Sequence, residues 1–319
     1  MTSAEAWPGR SGPPVGVLLM AYGTPAQAED VLAFYTDIRR GRQPTPEQLA
    51  DLQRRYDAVG GTSQLAARTA EQVAGVQAAL DGIAPGAYVC RYAAKHASPS
   101  IEEAVNAMAG EGIERLVGLV LAPHYSAGSV GEYLARFERA AADAGLRAGT
   151  VQGWHDHPVV IELLAERVRA AYAAIGSEPS DPGTQLLVSA HSLPMRIIES
   201  GDGYDQRLGE TAELVARASG AARWRVCWQS AGRTPEPWIG PDVLDVLRAL
   251  PDEGVAAVIV CPAGFTSDHL EVNYDLDIEA KALAHGLGLR FARTESLNAD
   301  ERLCAALARL AAEAAPPAA

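Results

Sequence analysis

Cys261-Pro-Ala-Gly-Phe-Thr-Ser-Asp-His269-Leu-Glu271-Val-Asn-Tyr-Asp275-Leu-Asp-Ile-Glu279 decides how this 319-residue chain is read. It follows an apolar run, residues 255–260, with the length and branching of a buried strand. A loop with Pro262 and Gly264 then leads into a helix. Ser267 or Asp268 is placed to cap that helix, with Glu271 three or four residues on, as in a capping box. Glu271, Asp275 and Glu279 recur at i, i+4 and i+8, which sets three carboxylates on one helical face. Such neighbours repel by a few tenths of a kcal/mol per pair, but a row of hard oxygen ligands also attracts a divalent cation. The bland alternative is a solvated helix start whose acids suit the macrodipole. Its place just beyond a buried strand favours ligand chemistry, because open α/β sheets bind ligands beyond the carboxyl ends of their strands.

Outward from this stretch the same grammar repeats. Strand-like runs occupy residues 15–20, 88–93 and 115–121, then 185–188, 224–228 and 255–260. Helical segments fall between them at 47–56, 65–80, 100–108, from 133 to about 144, 159–174 and 206–219, with Pro241 placed to open another. Alternating strands and helices imply parallel sheets covered on both faces. Leu18-Leu-Met-Ala-Tyr22-Gly23 matches Leu186-Leu-Val-Ser-Ala-His191, and residues 117–126 echo 258–267. The expected architecture is α/β: two similar Rossmann-like lobes, each a parallel sheet flanked by helices, with the active-site cleft between them. The expected division is a disordered tail at 1–13, an N-terminal lobe at 14–150 and a C-terminal lobe at 151–298 carrying the metal site. The boundary lies near residues 149–153, and a last helix at 299–312 packs back on the first lobe.

A net charge of −13 argues against a nucleic-acid partner. Cys90, Cys227, Cys261 and Cys304 are far apart and form no Cys-x-x-Cys pair, so they read as reduced, mostly buried thiols rather than zinc or iron–sulfur ligands. Apolar runs are strand-length and no signal segment is evident, so a cytoplasmic location with no membrane span is expected. Dinucleotide, phosphate-loop and nucleophile-elbow signatures are missing.

His191 follows a buried strand in Ser-Ala-His-Ser-Leu-Pro, where an imidazole can take a proton or ligate a metal. With Glu271 it makes a nitrogen–oxygen pair suited to Fe2+. His269, two residues from Glu271, is expected to point elsewhere on the helix. His96 and His124 also follow strands and are candidates to line the cleft; His155 and His157 read as loop residues. Tyr22 ends the first strand, as a half-buried aromatic or as a phenol facing a ligand. Arg39, Arg40, Arg42, Arg54 and Arg55 are a basic exception in an acidic chain, and guanidinium forks pair with carboxylates. Arg40, Arg42 and Arg54 read as surface charge balance. These features suit an anionic organic substrate meeting a divalent cation.

At these residues the chain resembles the ferrochelatase family, most closely its bacterial coproporphyrin III members. The motifs are Leu-Leu-Met-Ala-Tyr22-Gly-Thr-Pro, Tyr-Thr-Asp-Ile-Arg39-Arg-Gly-Arg, Arg55-Tyr56-Asp-Ala-Val-Gly-Gly-Thr-Ser63, Leu-Ala-Pro-His-Tyr-Ser, Val-Ser-Ala-His191-Ser-Leu-Pro, Trp-Gln-Ser-Ala-Gly-Arg-Thr-Pro-Glu-Pro-Trp-Ile-Gly-Pro and Gly-Phe-Thr-Ser-Asp-His-Leu-Glu271. The resemblance implies a lyase of haem biosynthesis that inserts Fe2+ into coproporphyrin III. Protoporphyrin IX is the alternative substrate, followed by a cobalt or sirohydrochlorin chelatase and a non-catalytic haem carrier. It implies that His191 and Glu271 are the catalytic, metal-binding pair and that Tyr22 lies axial to the product iron. It implies that Asp275 and Glu279 line a metal path, and that Tyr22, Arg39, Arg55, Tyr56, Ser63 and Tyr133 contact the porphyrin. Gln64 and Asn273 depart from the family pattern without touching this chemistry. Some relatives hold a [2Fe–2S] cluster through clustered cysteines; only Cys304 lies near the C-terminus here, so none is expected. Fe2+ is then substrate rather than cofactor, and the protein is expected to act as a monomer with at most transient contacts to other haem-pathway enzymes.

Overall fold

A computed structural model describes residues 12–61 and 63–318. Residues 1–11 of the expected tail lie outside the described residues. The first sheet contains β1 (Val15–Ala21), β2 (Tyr88–Ala94), β3 (Arg115–Val120) and β4 (Arg147–Val151), in the order β2-β1-β3-β4. The second contains β5 (Thr184–His191), β6 (Trp224–Gln229), β7 (Ala257–Cys261) and β8 (Arg290–Arg293), in the order β6-β5-β7-β8. Every pairing is parallel. The two orders superpose with β1 on β5 and β3 on β7, the strands whose sequences match. Helices α1 (Val31–Ile38), α2 (Pro46–Ala58), α3 (Leu65–Ile83), α4 (Ile101–Gly110) and α5 (Val130–Asp143) belong to the first half. Then come α6 (Pro158–Ala174), α7 (Met195–Glu199), α8 (Tyr204–Ser219), α9 (Val243–Ala249), α10 (Lys281–Gly286) and α11 (Glu301–Glu313).

The central strands are apolar throughout because both faces are covered. Val17 and Leu19 of β1 join Leu186 and Val188 of β5 in a core that continues through α6 and α11. Their neighbours Leu18 and Met20 face the opposite way, toward Met108 and Phe137. Leu187 likewise faces away, toward Val246 and Leu247. Side chains alternate across a strand, so each position feeds one core or the other, and fully burying each large side chain contributes about 1.5–3 kcal/mol. α11 packs on α3 and α6 and reaches β3 and β4, which ties the end of the chain to the first sheet.

Helix starts follow local chemistry. Thr45 and Gln48 form a reciprocal capping box on α2, with Pro46 in its first turn; Ser100 and Glu103 do the same for α4. Pro241 does not open α9. Asp242 is its cap, its carboxylate accepting from the Leu244 N–H at 2.8 Å, and Pro241 stands just outside. β4 covers much of the span where the boundary was expected, and like β8 it lies at a sheet edge. Neither has an apolar run: β4 is Arg-Ala-Gly-Thr-Val and β8 is Arg-Phe-Ala-Arg.

The helix after β7 also differs from expectation. It begins at Leu270, and Val272–Ala280 is a π-helix that continues into α10. Neither Ser267 nor Asp268 caps it. The Asp268 carboxylate accepts from Ser296 Oγ at 2.8 Å and Asn298 Nδ2 at 2.9 Å, anchoring the loop before α11 instead. A π-segment is rare and concentrates at functional sites.

Candidate active site at the carboxyl ends of β1 and β5

His191 is the last residue of β5, and its surroundings hold it there. Ser192 N–H donates to Gln229 O at 2.8 Å, Ser192 Oγ to Ile239 O at 2.7 Å, and Tyr204 OH to His191 O at 3.0 Å. The loop after β7 passes close by at Gly264, where a Cβ would come within 2.4 Å of the Ala190 Cβ. Glycine is required there for the loop to approach the strand that carries His191. The Nδ1 of His191 is bonded to Ser192 O. A carbonyl only accepts, so Nδ1 carries the proton and Nε2 is turned toward the reacting side.

That Nε2 faces Glu271 Oε1 at 3.5 Å. His269 approaches the other oxygen, its Nε2 3.6 Å from Oε2. Here the expectation that His269 points away fails. The helix starts only at Leu270, so His269 belongs to the loop, and helical spacing does not apply to it. Its ring packs 4.8 Å from Phe265. Burial disfavours charge on both members of the pair, but each outweighs that cost for the other. Glu271 raises His191 to about 9, and His191, then His269, hold the Glu271 carboxyl well below the usual range. At neutral pH the pair rests as imidazolium and carboxylate, with about a third of each side chain exposed.

Asp275, one turn further along, is buried, and both its oxygens are engaged. Oδ1 accepts from Arg55 Nη1 at 3.2 Å and Oδ2 from Ser230 Oγ at 2.5 Å. Burial and then the charge on Glu271 raise this carboxyl to about 6, against the pull of Ser230 and Arg55. Glu279 adds to the rise, so Asp275 feels the charge of both its neighbours on the row. Arg55 comes from α2 of the other half. Its guanidinium also lies 3.4 Å from Asp51 and 4.7 Å above the Tyr274 ring. Asp51 is paired in turn with Arg54 at 2.8 Å and Arg233 at 2.7 Å.

Tyr22 enters from the end of β1, with His96 edge-on at 4.7 Å and Phe34 at 6.2 Å. Desolvation, and then the charge on Glu271, raise the phenol above its ordinary value, so it is neutral at rest. The ring of His96 is fixed by Asp37 at 2.7 Å, and burial nevertheless lowers its imidazole. Tyr56 and Tyr133 are buried, with Lys95 Nζ 5.0 Å above the Tyr133 ring. Ser63 Oγ accepts from Leu65 N–H at 3.2 Å at the start of α3. Arg39 ends α1 with its guanidinium 5.6 Å from the Tyr35 ring. His124 is buried against Thr211, His155 and Tyr204, so it is a packing residue and not a lining one. His155 pairs with Glu210 at 3.0 Å and His157 caps α6.

The structure therefore gathers Tyr22, His191, Glu271, His269, Asp275 and Arg55, from both halves. The cysteines Cys90, Cys227, Cys261 and Cys304 are free and buried on β2, β6, β7 and α11. No helix among the described residues is long and apolar enough to cross a membrane.

Comparison with known proteins bears on this arrangement. The model of the family described as Ferrochelatase matches residues 14–315. A coproporphyrin III ferrochelatase from a Geobacillus species is 44% identical over 300 residues, covering 92% of this chain and 96% of the relative. Another, from Anoxybacillus flavithermus, is 45% identical over 297 residues, covering 92% and 94%. Among solved structures, the sirohydrochlorin chelatase SirB from Bacillus subtilis subspecies spizizenii, in complex with cobalt, aligns with a TM-score of 0.58 at 10% identity, covering 94% of this chain and 95% of that one. CbiX, the terminal enzyme of sirohaem biosynthesis in denitrifying bacteria, aligns with a TM-score of 0.53 at 18% identity, covering 94% and 99%. At such identities these two structures speak for the fold alone.

Proposed function

This chain belongs to the ferrochelatase family, and on that premise we propose that it inserts Fe2+ into coproporphyrin III, releasing Fe-coproporphyrin III and two protons. It is a lyase. The observation that carries the site assignment is the His191–Glu271 pair, held at 3.5 Å beyond the carboxyl end of β5. Its position and its nitrogen–oxygen donor set suit a borderline dication.

The macrocycle lies between the halves, with its carboxylates toward Arg39 and Arg55 and its edge against Tyr56, Ser63 and Tyr133. Binding energy at this periphery offsets the distortion that turns the pyrrole nitrogens toward a metal. Fe2+ competes with the His191 proton for Nε2, because a dication beside Glu271 destabilises the imidazolium. The displaced Nε2 proton leaves to solvent. As Fe2+ passes to the pyrrole nitrogens, Nε2 is vacated and accepts one pyrrole proton while the other leaves to solvent. The ring's orientation is already set by the Nδ1–H bond to Ser192 O. Glu271 steadies the charge at each stage. Asp275 and Glu279 supply the cation from the π-helix, and Tyr22 stands on the opposite half to meet the product iron. The free thiols support a reducing compartment, the cytoplasm.

His191→Ala tests the assignment. Insertion falls by about 10²–10⁴, the contribution typical of a positioned acid–base group, while fluorescence titration shows porphyrin binding retained. Insertion at the unmodified rate would remove His191 from the chemistry.

A further inference from the structure

We infer that Arg55 is an exchangeable latch on the acidic row: it occupies Asp275 until a carboxylate of the substrate takes its guanidinium, so the row accepts a cation fully only when the macrocycle is seated. This rests on the reading that a carboxylated porphyrin binds between the two halves.

Asp275 sits between Glu271 and Glu279, and it is the member of the row that is closed on both sides. Arg55 holds Oδ1 at 3.2 Å and Ser230 holds Oδ2 at 2.5 Å. A carboxylate paired with a guanidinium offers an approaching dication little net charge, and each of its oxygens already has one lone pair committed. Ser230 reaches Asp275 from a left-handed backbone conformation, φ 60°, which costs a non-glycine residue energy that its surroundings must offset. The strained residue, just beyond β6, and the arginine on α2 grip the same side chain from different halves.

The arginine is built to leave. Its other acidic neighbour, Asp51, keeps Arg54 and Arg233 when Arg55 moves, so no buried charge is stranded there. Its guanidinium rests on the face of Tyr274, the residue next to Asp275, which gives it a surface to hold while it changes partner. About a quarter of its side chain remains open to solvent, whereas the side chain of Asp275 is 9% exposed. An incoming carboxylate can therefore meet Arg55 where it could not meet a buried cation. Transfer of Arg55 from Asp275 to that carboxylate leaves one more uncompensated negative charge on the row. Because α2 lies in one half and the π-helix in the other, the exchange also links occupancy of the cleft to the grip between the halves.

The test uses the full chain and two readouts. In the first, Zn2+ is titrated calorimetrically into porphyrin-free protein at about pH 8, where Asp275 is ionised. Arg55→Met is expected to bind Zn2+ about tenfold more tightly than the unmodified chain, or about 1.4 kcal/mol, and adding Asp275→Asn to it should erase the gain. Arg55→Gln serves as the second variant if the methionine form does not fold. In the second, the apparent KM for the metal is followed as coproporphyrin III is raised. It should fall several-fold in the unmodified chain and stay flat in Arg55→Met. An unchanged Zn2+ affinity together with an unchanged KM response would overturn the latch. Failure of the chain to metallate any porphyrin would sink the proposed function instead, and the calorimetric arm would still report on the latch.

Discussion

Glu271→Gln separates the electrostatics of the central pair from its shape. The substitution keeps the side chain's size and its capacity to hydrogen-bond, and removes only the charge. In the unmodified protein His191 is raised from 6.5 to about 9. At about 1.36 kcal/mol per pH unit that is about 3.4 kcal/mol, and with a third of each side chain exposed to screening solvent we reduce it to about 1–2 kcal/mol. The sign follows from the direction of each shift. A histidine raised on folding stabilises fully below its unfolded value near 6.5 and loses that contribution as pH climbs through about 9. A carboxyl lowered on folding stabilises above its unfolded value of 4.5 and loses the contribution on acidification. The advantage of the unmodified chain over the glutamine variant is therefore greatest between about pH 4.5 and 6.5 and fades toward pH 9.5. Urea unfolding of metal-free protein, with a chelator present, measures it at pH 6 and pH 9.5 with Asp275→Asn in both proteins, because the Glu271 charge also raises Asp275. Groups remote from Glu271 titrate alike in both and cancel. The difference in unfolding free energy should shrink by about 1–2 kcal/mol across that range. A difference that is the same at both pH values would refute the ion pair as the resting state.

Two further outcomes follow from the same geometry. Asp275→Ala combined with Glu279→Ala should raise the metal KM about tenfold or more with porphyrin affinity little changed, read from initial rates over a range of Fe2+; an unaltered dependence on Fe2+ would remove these acids from cation delivery. Tyr22→Phe should leave the insertion rate within a few-fold, because the phenol meets only the product, but should shift the visible spectrum of the bound iron product and speed its release; identical spectra would exclude Tyr22 as an axial ligand.

Much of this architecture is legible in the sequence because burial on both faces leaves an unmistakable mark. Val15 to Ala21 and Thr184 to His191 are buried almost throughout, so their apolar runs announce central strands, and their similar endings place Tyr22 and His191 at the carboxyl edge of each sheet, one position apart in the match. Strands β4 and β8 lie at sheet edges, as β2 and β6 do, but are short and mix arginine with small residues, so they carry no such mark. The carboxylate row is visible as spacing, but the π-segment beneath it is not, since an i→i+5 pattern depends on packing and caps that residue types do not encode. The place of His269 is not legible in the spacing because it depends on where the helix begins, a boundary set by Asp268 being drawn away to Ser296 and Asn298. The pairing of Arg55 with Asp275 joins residues 220 positions apart, and only the packing of the two halves reveals it.

The central claim, that this cleft metallates a coproporphyrin, is met most directly by an anaerobic insertion assay with Fe2+ run in parallel on coproporphyrin III and protoporphyrin IX. The account predicts turnover with a clear preference for coproporphyrin III. Preference for protoporphyrin IX would contradict the substrate assignment, and tight haem binding with no turnover of either porphyrin would contradict the enzyme itself.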